Sequence, residues 1–480
     1  MKLDELLGEL SGASLIEGEG SVEVTSVEID SRLVNPGALF CCIIGSKSDG
    51  HEHAQAALDR GAAALLVERD IPSLEAPAGT AVIKVDAGQA RRAAAVAASH
   101  VVGDPSRSLV MAEVTGTNGK TTVATVLGEI LDDAGFSATV IGTLTGERTT
   151  PAAPDLHRQL ARSLREAEVK ERPGAVAIEV SSHALDQGRV DGIVFDVAIF
   201  TNLSHDHLDY HGTMAAYFDA KALLFEEERS RMAVIWADSD AGAALLSRRR
   251  GPAVAVSMAD VGDVELRSDG TRFTWRGLST ATGLVGTTGL IDALLAAEAA
   301  VALGVDPSSV ATSLPSAAGV PGRMERIPSG GDAPTVIVDY AHTPDALSAA
   351  LEAVESLRGP GGRTILVFGC GGDRDALKRP EMGAIAAARA DLAVVTSDNP
   401  RHEDPIAIAA QVASGAPDGT LVVELDRRAA IAHAIEVARD VDVVLIAGKG
   451  HEVTQQFGDE LRPFDDRLVA AEILREDAAC

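Results

Sequence analysis

An apolar run at 109–114 breaks into Thr115-Gly-Thr-Asn-Gly-Lys-Thr-Thr122, and a helical stretch follows at 123–134. A strand, a glycine-rich turn and a helix in direct succession constrain the fold more than any other segment. The glycines let backbone N–H groups turn toward one point, and the helix start adds its positive end there. Phosphate is the anion that such a cradle suits. Lys120 is placed to meet the outer phosphates, and the Thr121 hydroxyl to face Mg²⁺. Gly116, Thr117, Asn118, Gly119, Lys120, Thr121 and Thr122 are therefore the candidate phosphate-binding residues. The motif is a shortened Walker A, since Val114 stands where the full pattern has its first glycine. A plain glycine turn is the alternative, and the strand–turn–helix context argues against it.

With 480 residues the chain is too long for one core, because single cores stop growing at roughly 250–300 residues. Three regions separate by pattern. The first, 1–107, has short apolar runs at 38–44, 62–67 and 80–85 and helical stretches at 52–60 and 87–100. It ends in a linker, Val101-Val-Gly-Asp-Pro-Ser106, where Gly and Pro break both periods. The second, 108–325, contains the phosphate loop, further strands at 175–180 and 194–200, and a switch to alternation at 264–277 that predicts a small β insertion. The third, 326–480, alternates runs at 335–338, 364–368, 392–396, 421–425 and 443–447 with helical patterns. The predicted class is α/β with mostly parallel sheets, and ligands then bind beyond the carboxyl ends of the strands.

A net charge of −29 repels phosphate backbones and argues against a nucleic-acid partner. Aromatic content of 3% means cores built from Ala, Val, Leu and Ile. Cys41, Cys42, Cys370 and Cys480 form no CxxC pair and read as free thiols of a reducing compartment. The N-terminus lacks an uninterrupted apolar core, so no signal peptide is expected. No stretch of about 18 apolar residues predicts a membrane span.

Two strand ends in the second region carry further chemistry. Ile178-Glu-Val-Ser-Ser-His183 puts the carboxylate of Glu179 where strand gives way to loop, and Thr201-Asn-Leu-Ser-His-Asp-His-Leu-Asp-Tyr-His211 puts His207 among aspartates. Mg²⁺ takes oxygen ligands and tolerates an imidazole, so Glu179 and His207 join Thr121 as candidate ligands. A polar loop and a hydrogen-bonded core histidine are the bland readings. Downstream, Tyr217, Lys221 and Leu224 share one helical face, which sets a lysine in an apolar stripe. Such a lysine either snorkels or is desolvated toward the neutral amine.

The segments TGTNGKTT, EVSSHAL, TNLSHDHLDYHG, YFDAKALLF, GRMERI, DYAHTPDAL, FGCGGDRDALKRP, SDNPR and AGKGHE, in that order, resemble the Mur ligases of peptidoglycan synthesis. The resemblance runs from Asp30-Ser-Arg32 to Glu452 and is strongest to the members that add the third amino acid. It implies an N-terminal uridine-nucleotide domain, a central P-loop ATPase-like domain and a C-terminal Rossmann-like domain. It also implies ATP and Mg²⁺ and a cytoplasmic, monomeric enzyme acting on a UDP-muramoyl dipeptide. Ser31, Ser46, Lys47 and Ser48 would contact the uridine nucleotide, and Thr149, Thr150, Ser181, Gln187 and Arg189 the muramoyl peptide. Lys221 matches a lysine that carries carbon dioxide as a carbamate and serves the metal with Glu179 and His207. Asp398, Asn399, Pro400 and Arg401 match the form associated with meso-diaminopimelate, and Arg374, Gly448 and Glu452 match its other contacts. An arginine fork can hold the distal carboxylate that lysine lacks.

The chain departs from the pattern at Gly289 and Asp292, where the family carries asparagines that help hold adenine, and at Arg148, where some members have asparagine. Alternatives are a ligase adding L-lysine or another diamino acid, and a nucleotide-binding scaffold without turnover. A folylpolyglutamate synthetase would lack the uridine-binding first domain.

Overall fold

The computed structural model describes residues 1–45, 48–72, 74–146, 148–267, 270–317, 319–329 and 333–477. Three sheets follow one another along the chain. The first has five strands in the order Ser14–Glu17, Ala81–Lys84, Ala64–Val67, Ala38–Cys41 and Ser26–Glu28. Only the first of these runs antiparallel to its neighbour. The apolar runs at 38–44, 62–67 and 80–85 thus become adjacent buried strands, and the helix Ala90–Val101 covers one face with alanines. The linker of the sequence reading holds the short 3-10 turn Pro105–Arg107.

The second sheet has six parallel strands, ordered Ala253–Val256, Ser230–Trp236, Phe195–Phe200, Val110–Thr115, Gly174–Glu179 and Ser137–Ile141. Val110–Thr115 lies centrally. From it the chain builds first toward Ser137–Ile141 and Gly174–Glu179, then reverses to Phe195–Phe200 on the other side. Ligand crevices of open parallel sheets form at such a reversal, beyond the strand ends. The helices Lys120–Asp133 and Gly286–Ala302 share one core on one face of this sheet, and Ala153–Lys170 serves the other. The alternation at 264–277 resolves as three antiparallel strands, Val261–Arg267, Gly270–Trp275 and Leu278–Thr282.

The third sheet is ordered Glu325–Ile327, Thr335–Asp339, Val443–Ala447, Thr364–Phe368, Leu392–Val395 and Leu421–Val423, with the first strand antiparallel and the rest parallel. All five runs predicted there are strands, and helices lie on both faces. Cys41, Cys42 and Cys370 are free and buried, while Cys480 lies outside the described residues. Among the described residues no helix is long and apolar enough to cross a membrane.

Candidate active site

The phosphate loop leaves Val110–Thr115 at Gly116, whose φ is 151°, and enters the helix at Gly119, whose φ is 85°. Both glycines are required by space as well as angle. A Cβ on Gly116 would lie 1.9 Å from the Thr201 hydroxyl, and one on Gly119 would lie 2.5 Å from a carboxyl oxygen of Asp292. Asn118 is fixed from the neighbouring strand end: its N–H donates to the Asn202 side chain at 2.9 Å, and its carbonyl accepts from Thr201 at 2.6 Å. The Lys120 ammonium curls over the loop and donates to the carbonyls of Gly116 and Thr117 at 2.9 and 2.8 Å.

Glu179 ends the adjacent strand and is 1% exposed. Its Oε2 accepts from the Thr121 hydroxyl at 2.9 Å and its Oε1 from the Thr143 N–H at 2.8 Å. A serine-or-threonine hydroxyl against a buried carboxylate, at a helix start that faces phosphate, is an oxygen donor pair suited to Mg²⁺. Among the described residues no three His, Cys, Asp or Glu side chains are grouped to hold a metal alone. The donors therefore fit a Mg²⁺ completed by phosphate oxygens and water rather than an all-protein cage.

His207 takes a left-handed conformation, φ 55°, at the start of the short helix Leu208–His211. Its ring meets His183 edge-on at 4.8 Å. Burial pushes its pKa down to about 4 against the pull of Asp206, so the imidazole is neutral at pH 7 and has a lone pair to offer. Lys221, 1% exposed on the helix Met214–Ala222, approaches the loop from behind. Its ammonium donates to the Gly116 carbonyl at 2.8 Å and stands 4.6 Å over the Tyr217 ring. Burial and the repulsion of Lys120 lower its pKa well below the ordinary value. The lysine is thus desolvated, and the snorkelling alternative is excluded by its exposure.

A cavity of about 330 Å³ joins this apparatus to the third sheet. Lys120, Thr121, Glu179 and His207 line one wall, and Arg374, Asp398, Asn399, Arg401, Gly448 and Glu452 line the other. Lys221 lies beneath the loop and is not part of the lining. On the far wall Asn399 donates to Glu452 at 2.7 Å, and the fully buried Lys449 ammonium donates to both, at 3.2 and 2.9 Å. Burial opposes ionisation of Glu452, but the Lys449 charge and these hydrogen bonds outweigh it and hold the carboxyl below its usual range. Arg401, also left-handed at φ 52°, donates to the Gly372 carbonyl at 2.7 Å. It is half-buried in the wall rather than a surface-loop arginine. A Cβ on Gly448 would stand 2.7 Å from an Asp398 oxygen that has no hydrogen-bond partner.

Of the expected muramoyl-peptide and nucleotide residues that are described, Thr149 lines this cavity and the others do not. Thr149 is bonded to Thr143 at 3.1 Å. The Thr150 hydroxyl is buried and donates to the Glu179 carbonyl at 3.0 Å. Ser181 caps the helix Ser182–Asp186. Arg189 donates to the Thr150 carbonyl at 2.8 Å and to Gln187 at 2.8 Å. Ser31 begins the 3-10 turn Ser31–Leu33, beside a second cavity of about 870 Å³ lined by Asp30, Arg32, Arg148 and Arg158. Ser48 meets His53 at 2.8 Å, whereas Ser46 and Lys47 lie outside the described residues. Pro400 is buried in the strand-end turn.

Several lining residues were not singled out individually from the sequence. Arg323 donates to Thr121 at 3.3 Å and lies over the Tyr340 ring, and His342 and Lys378 face the same cavity. Their segments, GRMERI, DYAHTPDAL and ALKRP, belong to the family pattern, but no local chemistry in them marks these side chains. Next to Asn118 and Gly119 a smaller cavity of about 250 Å³, lined by Leu284, Val285, Ala346 and Ala349 among others, holds Asp292 and Gly289. A Cβ on Gly289 would lie 3.0 Å from the Leu284 backbone carbon, so no longer side chain fits that position without a shift.

Family models agree with this geometry along the chain. The Mur ligase middle domain matches residues 114–300, the Mur ligase glutamate ligase domain 322–450, and the Mur ligase family catalytic domain 23–113. The chain belongs to the Mur ligase family. It is 42% identical over 499 residues to the UDP-N-acetylmuramoyl-L-alanyl-D-glutamate–2,6-diaminopimelate ligase of Syntrophomonas wolfei, covering 99% of each chain. It is 40% identical to the ligase of the same name from Streptomyces coelicolor, over 99% of this chain and 96% of that one. A solved structure of a ligase of that name superposes with a TM-score of 0.68 at 29% identity, over 100% of this chain and 99% of the other. MurF from Acinetobacter baumannii shares the fold at 17% identity and TM-score 0.65, over 99% and 98%.

Proposed function

We propose that this Mur ligase joins meso-diaminopimelate to the D-glutamyl residue of UDP-N-acetylmuramoyl-L-alanyl-D-glutamate, using ATP, in peptidoglycan synthesis. One observation carries the reading: a phosphate loop and an arginine-bearing strand end face each other across one cavity. The assignment of substrate follows the name shared by relatives at about 40% identity over the full chain. We assign residues 1–107 to the uridine-nucleotide domain, 108–325 to the ATP domain and 326–480 to the amino-acid domain. The enzyme is read as a cytoplasmic monomer.

The substrate carboxylate attacks the γ-phosphorus of ATP, the bond to the β-phosphate oxygen breaks, and ADP leaves. An acyl phosphate results. The diaminopimelate amine attacks its carbonyl carbon, inorganic phosphate leaves, the amine loses a proton and an amide remains. Lys120 and the loop N–H groups neutralise the charge that develops on the transferred phosphoryl group. Thr121, Glu179 and His207 would hold Mg²⁺, which supplies further charge neutralisation when bound. Lys221 contributes as a carbamate: its desolvation favours the neutral amine, the form that adds carbon dioxide. Arg401 takes the distal carboxylate through parallel bonds, with Arg374 beside it. Glu452 takes an ammonium, and Asp398, Asn399 and Gly448 complete that wall. Ser31, Ser46, Lys47 and Ser48 serve the nucleotide, and Thr149, Thr150, Ser181, Gln187 and Arg189 serve the muramoyl peptide. Closure over the acyl phosphate keeps water away.

The test is mass analysis of product formed from the UDP-dipeptide, ATP and a mixture of diamino acids. A diaminopimelate adduct is expected, with phosphate released only when all three are present. A lysine adduct would replace the donor assignment, and binding without turnover would leave a scaffold. Lys221→Ala is expected to abolish turnover, and ¹³C-bicarbonate is expected to give a carbamate resonance in the parent protein that the variant lacks.

A further inference from the structure

The far wall of the catalytic cavity carries opposite charges that do not cancel. Arg374 and Arg401 line it, and neither makes an ion pair among the described residues. Arg401 donates to the Gly372 carbonyl, an uncharged partner that leaves its charge in place. Glu452 lines the same wall with its side chain 32% exposed, yet it bonds to neither arginine. A carboxylate free to swing beside two guanidiniums would pair with one of them, and both charges would then be lost to a ligand. Something holds Glu452 back.

Lys449 does so from behind the wall. It is fully buried between Gly448 and Gly450, whose φ angles are 116° and 52°. An ammonium has three donors, and here each meets an oxygen: the Thr454 carbonyl at 2.6 Å, Glu452 Oε2 at 2.9 Å and Asn399 Oδ1 at 3.2 Å. The Asn399 amide is fixed in turn, because the Gln456 N–H can only donate and meets Oδ1 at 3.0 Å. Asn399 Nδ2 then donates to the same Glu452 Oε2 at 2.7 Å. Two donors thus hold one carboxyl oxygen, and Glu452 Oε1 has no partner among the described residues. Asp398, on the facing turn, is closed: one oxygen accepts from the Asn399 N–H at 2.7 Å, and the other is buried beside Gly448. The counter-charge matters as well as the geometry. Burial alone would favour a protonated Glu452, which attracts no cation, and the Lys449 charge outweighs that burial.

We propose that Lys449 is a positioning residue for donor selection: it keeps Glu452 from pairing with Arg374 or Arg401 and presents Oε1 to an ammonium. The wall then offers a separate positive and negative pole, the complement of a donor whose distal carbon bears both a carboxylate and an ammonium. The proposal rests on the reading that Glu452 takes the ammonium of the diamino acid, and it adds the residue that makes Glu452 able to do so.

The test measures kcat and KM of the parent, Lys449→Met and Lys449→Gln with two donors, at saturating ATP and UDP-dipeptide. The donors are meso-diaminopimelate and 2-aminopimelate, which keeps the distal carboxylate but has no distal amine. The parent is expected to prefer diaminopimelate. In both variants the KM for diaminopimelate should rise about tenfold or more, as loss of a charge-assisted hydrogen bond does, while that for 2-aminopimelate moves by less than about threefold. The preference between the donors then collapses, which a merely structural lysine would not cause. Equal weakening of both donors, or an unchanged preference, would overturn the proposal and leave the ligase reading intact. A parent that uses 2-aminopimelate as well as diaminopimelate would also overturn it, because no ammonium is then being read. A parent that turns over neither donor would overturn the donor assignment, and the proposal with it. The thermal midpoint and the KM for ATP report on the fold. Where Lys449→Met loses that fold, Lys449→Gln decides, since it keeps a donor for the Thr454 carbonyl without the charge.

Discussion

Replacing Asp466 by Asn should weaken both the stability of the C-terminal region and its grip on the amino acid. Asp466 and Arg427 are wholly buried and bonded in parallel, at 2.8 and 2.7 Å. The same guanidinium donates to the carbonyls of Ala447 at 3.0 Å and Ser397 at 3.4 Å. Ala447 ends its strand and Ser397 lies two residues past the end of Leu392–Val395, just before Gly448–Glu452 and Asp398–Arg401. One buried pair therefore sets the height of both loops on this wall of the cavity. Removing one partner leaves a buried guanidinium without its counter-charge, at a cost of about 3–5 kcal/mol. For a unit of about 150 residues each kcal/mol moves the midpoint by roughly 2–4 °C, so a fall of roughly 6–20 °C is expected. Calorimetry measures that fall, and the KM for diaminopimelate should rise while ATP affinity holds. The double variant Arg427→Met, Asp466→Leu separates the two roles. It should recover most of the stability, because apolar replacement of a buried pair is often neutral. It should not recover the KM, because the tether to Ala447 is gone. A midpoint drop under about 2 °C for Asp466→Asn, with an unchanged KM, would refute the argument.

Glu113 lies fully buried in the strand before the phosphate loop, and neither carboxyl oxygen has a hydrogen-bond partner. Burial raises its pKa well above the ordinary value, with Arg229 opposing. The folded state thus holds the proton more tightly than the unfolded chain. The contribution is favourable below about pH 4 and is lost as pH rises through the folded pKa. Glu113→Leu should raise the unfolding free energy by about 1–3 kcal/mol at pH 8, and the thermal midpoint of the variant should decline less than the parent's as pH rises above the ordinary carboxylate range. Asp292, beside Gly119, has its pKa pushed up to about 8 by burial. ATP affinity by calorimetry should therefore fall between pH 7 and 9 as a charge develops next to the loop, and Asp292→Asn should abolish that fall. Arg401→Lys should raise the KM for diaminopimelate about tenfold or more, since an ammonium cannot reproduce the two parallel bonds, with ATP binding unchanged.

The phosphate loop was legible because its chemistry is local: glycines, lysine and threonine within a few residues of one strand end. The same holds for Glu179 and His207, which sit where apolar runs stop. The β insertion at 261–282 showed through its alternation. What sequence concealed was set by distance or by environment. Arg323 meets Thr121 across 202 positions, and no spacing rule joins them. Lys449 stands in the AGKGHE segment with nothing local to mark its burial, yet it is fully buried and organises Asn399 and Glu452. Glu113 sits in an apolar run where a carboxylate would be placed outside by composition alone, but the strand is covered on both faces. Ser14–Glu17 is a strand with only one half-buried residue, Leu15, so no apolar run marks it. At Gly289 the loss of a side chain has a steric reason that only the Leu284 approach reveals.

The two walls of the catalytic cavity are rigid in different ways, and the seam between them is held lightly. Hydrogen bonds from Thr121, Thr143 and Thr150 fix the Glu179 wall, and the Arg427–Asp466 and Lys449–Glu452 pairs fix the other. Across the mouth, Arg323 reaches Thr121 at 3.3 Å and His205 stands 3.9 Å from Asp375. A part-exposed pair of that length is worth at most about 1 kcal/mol. Behind the mouth, Gly286 packs so closely on Ala353 that a Cβ would come within 2.7 Å of it. Tight packing at the back with weak polar contacts at the front is the arrangement of a hinge. A phosphoryl donor and an amine donor that bridge the walls then add differential contacts to the closed state, and a small bias is enough to shift an equilibrium so lightly held. If each wall keeps these internal bonds as the cleft closes, the amine and the acyl phosphate of the proposed reaction align without remaking either half.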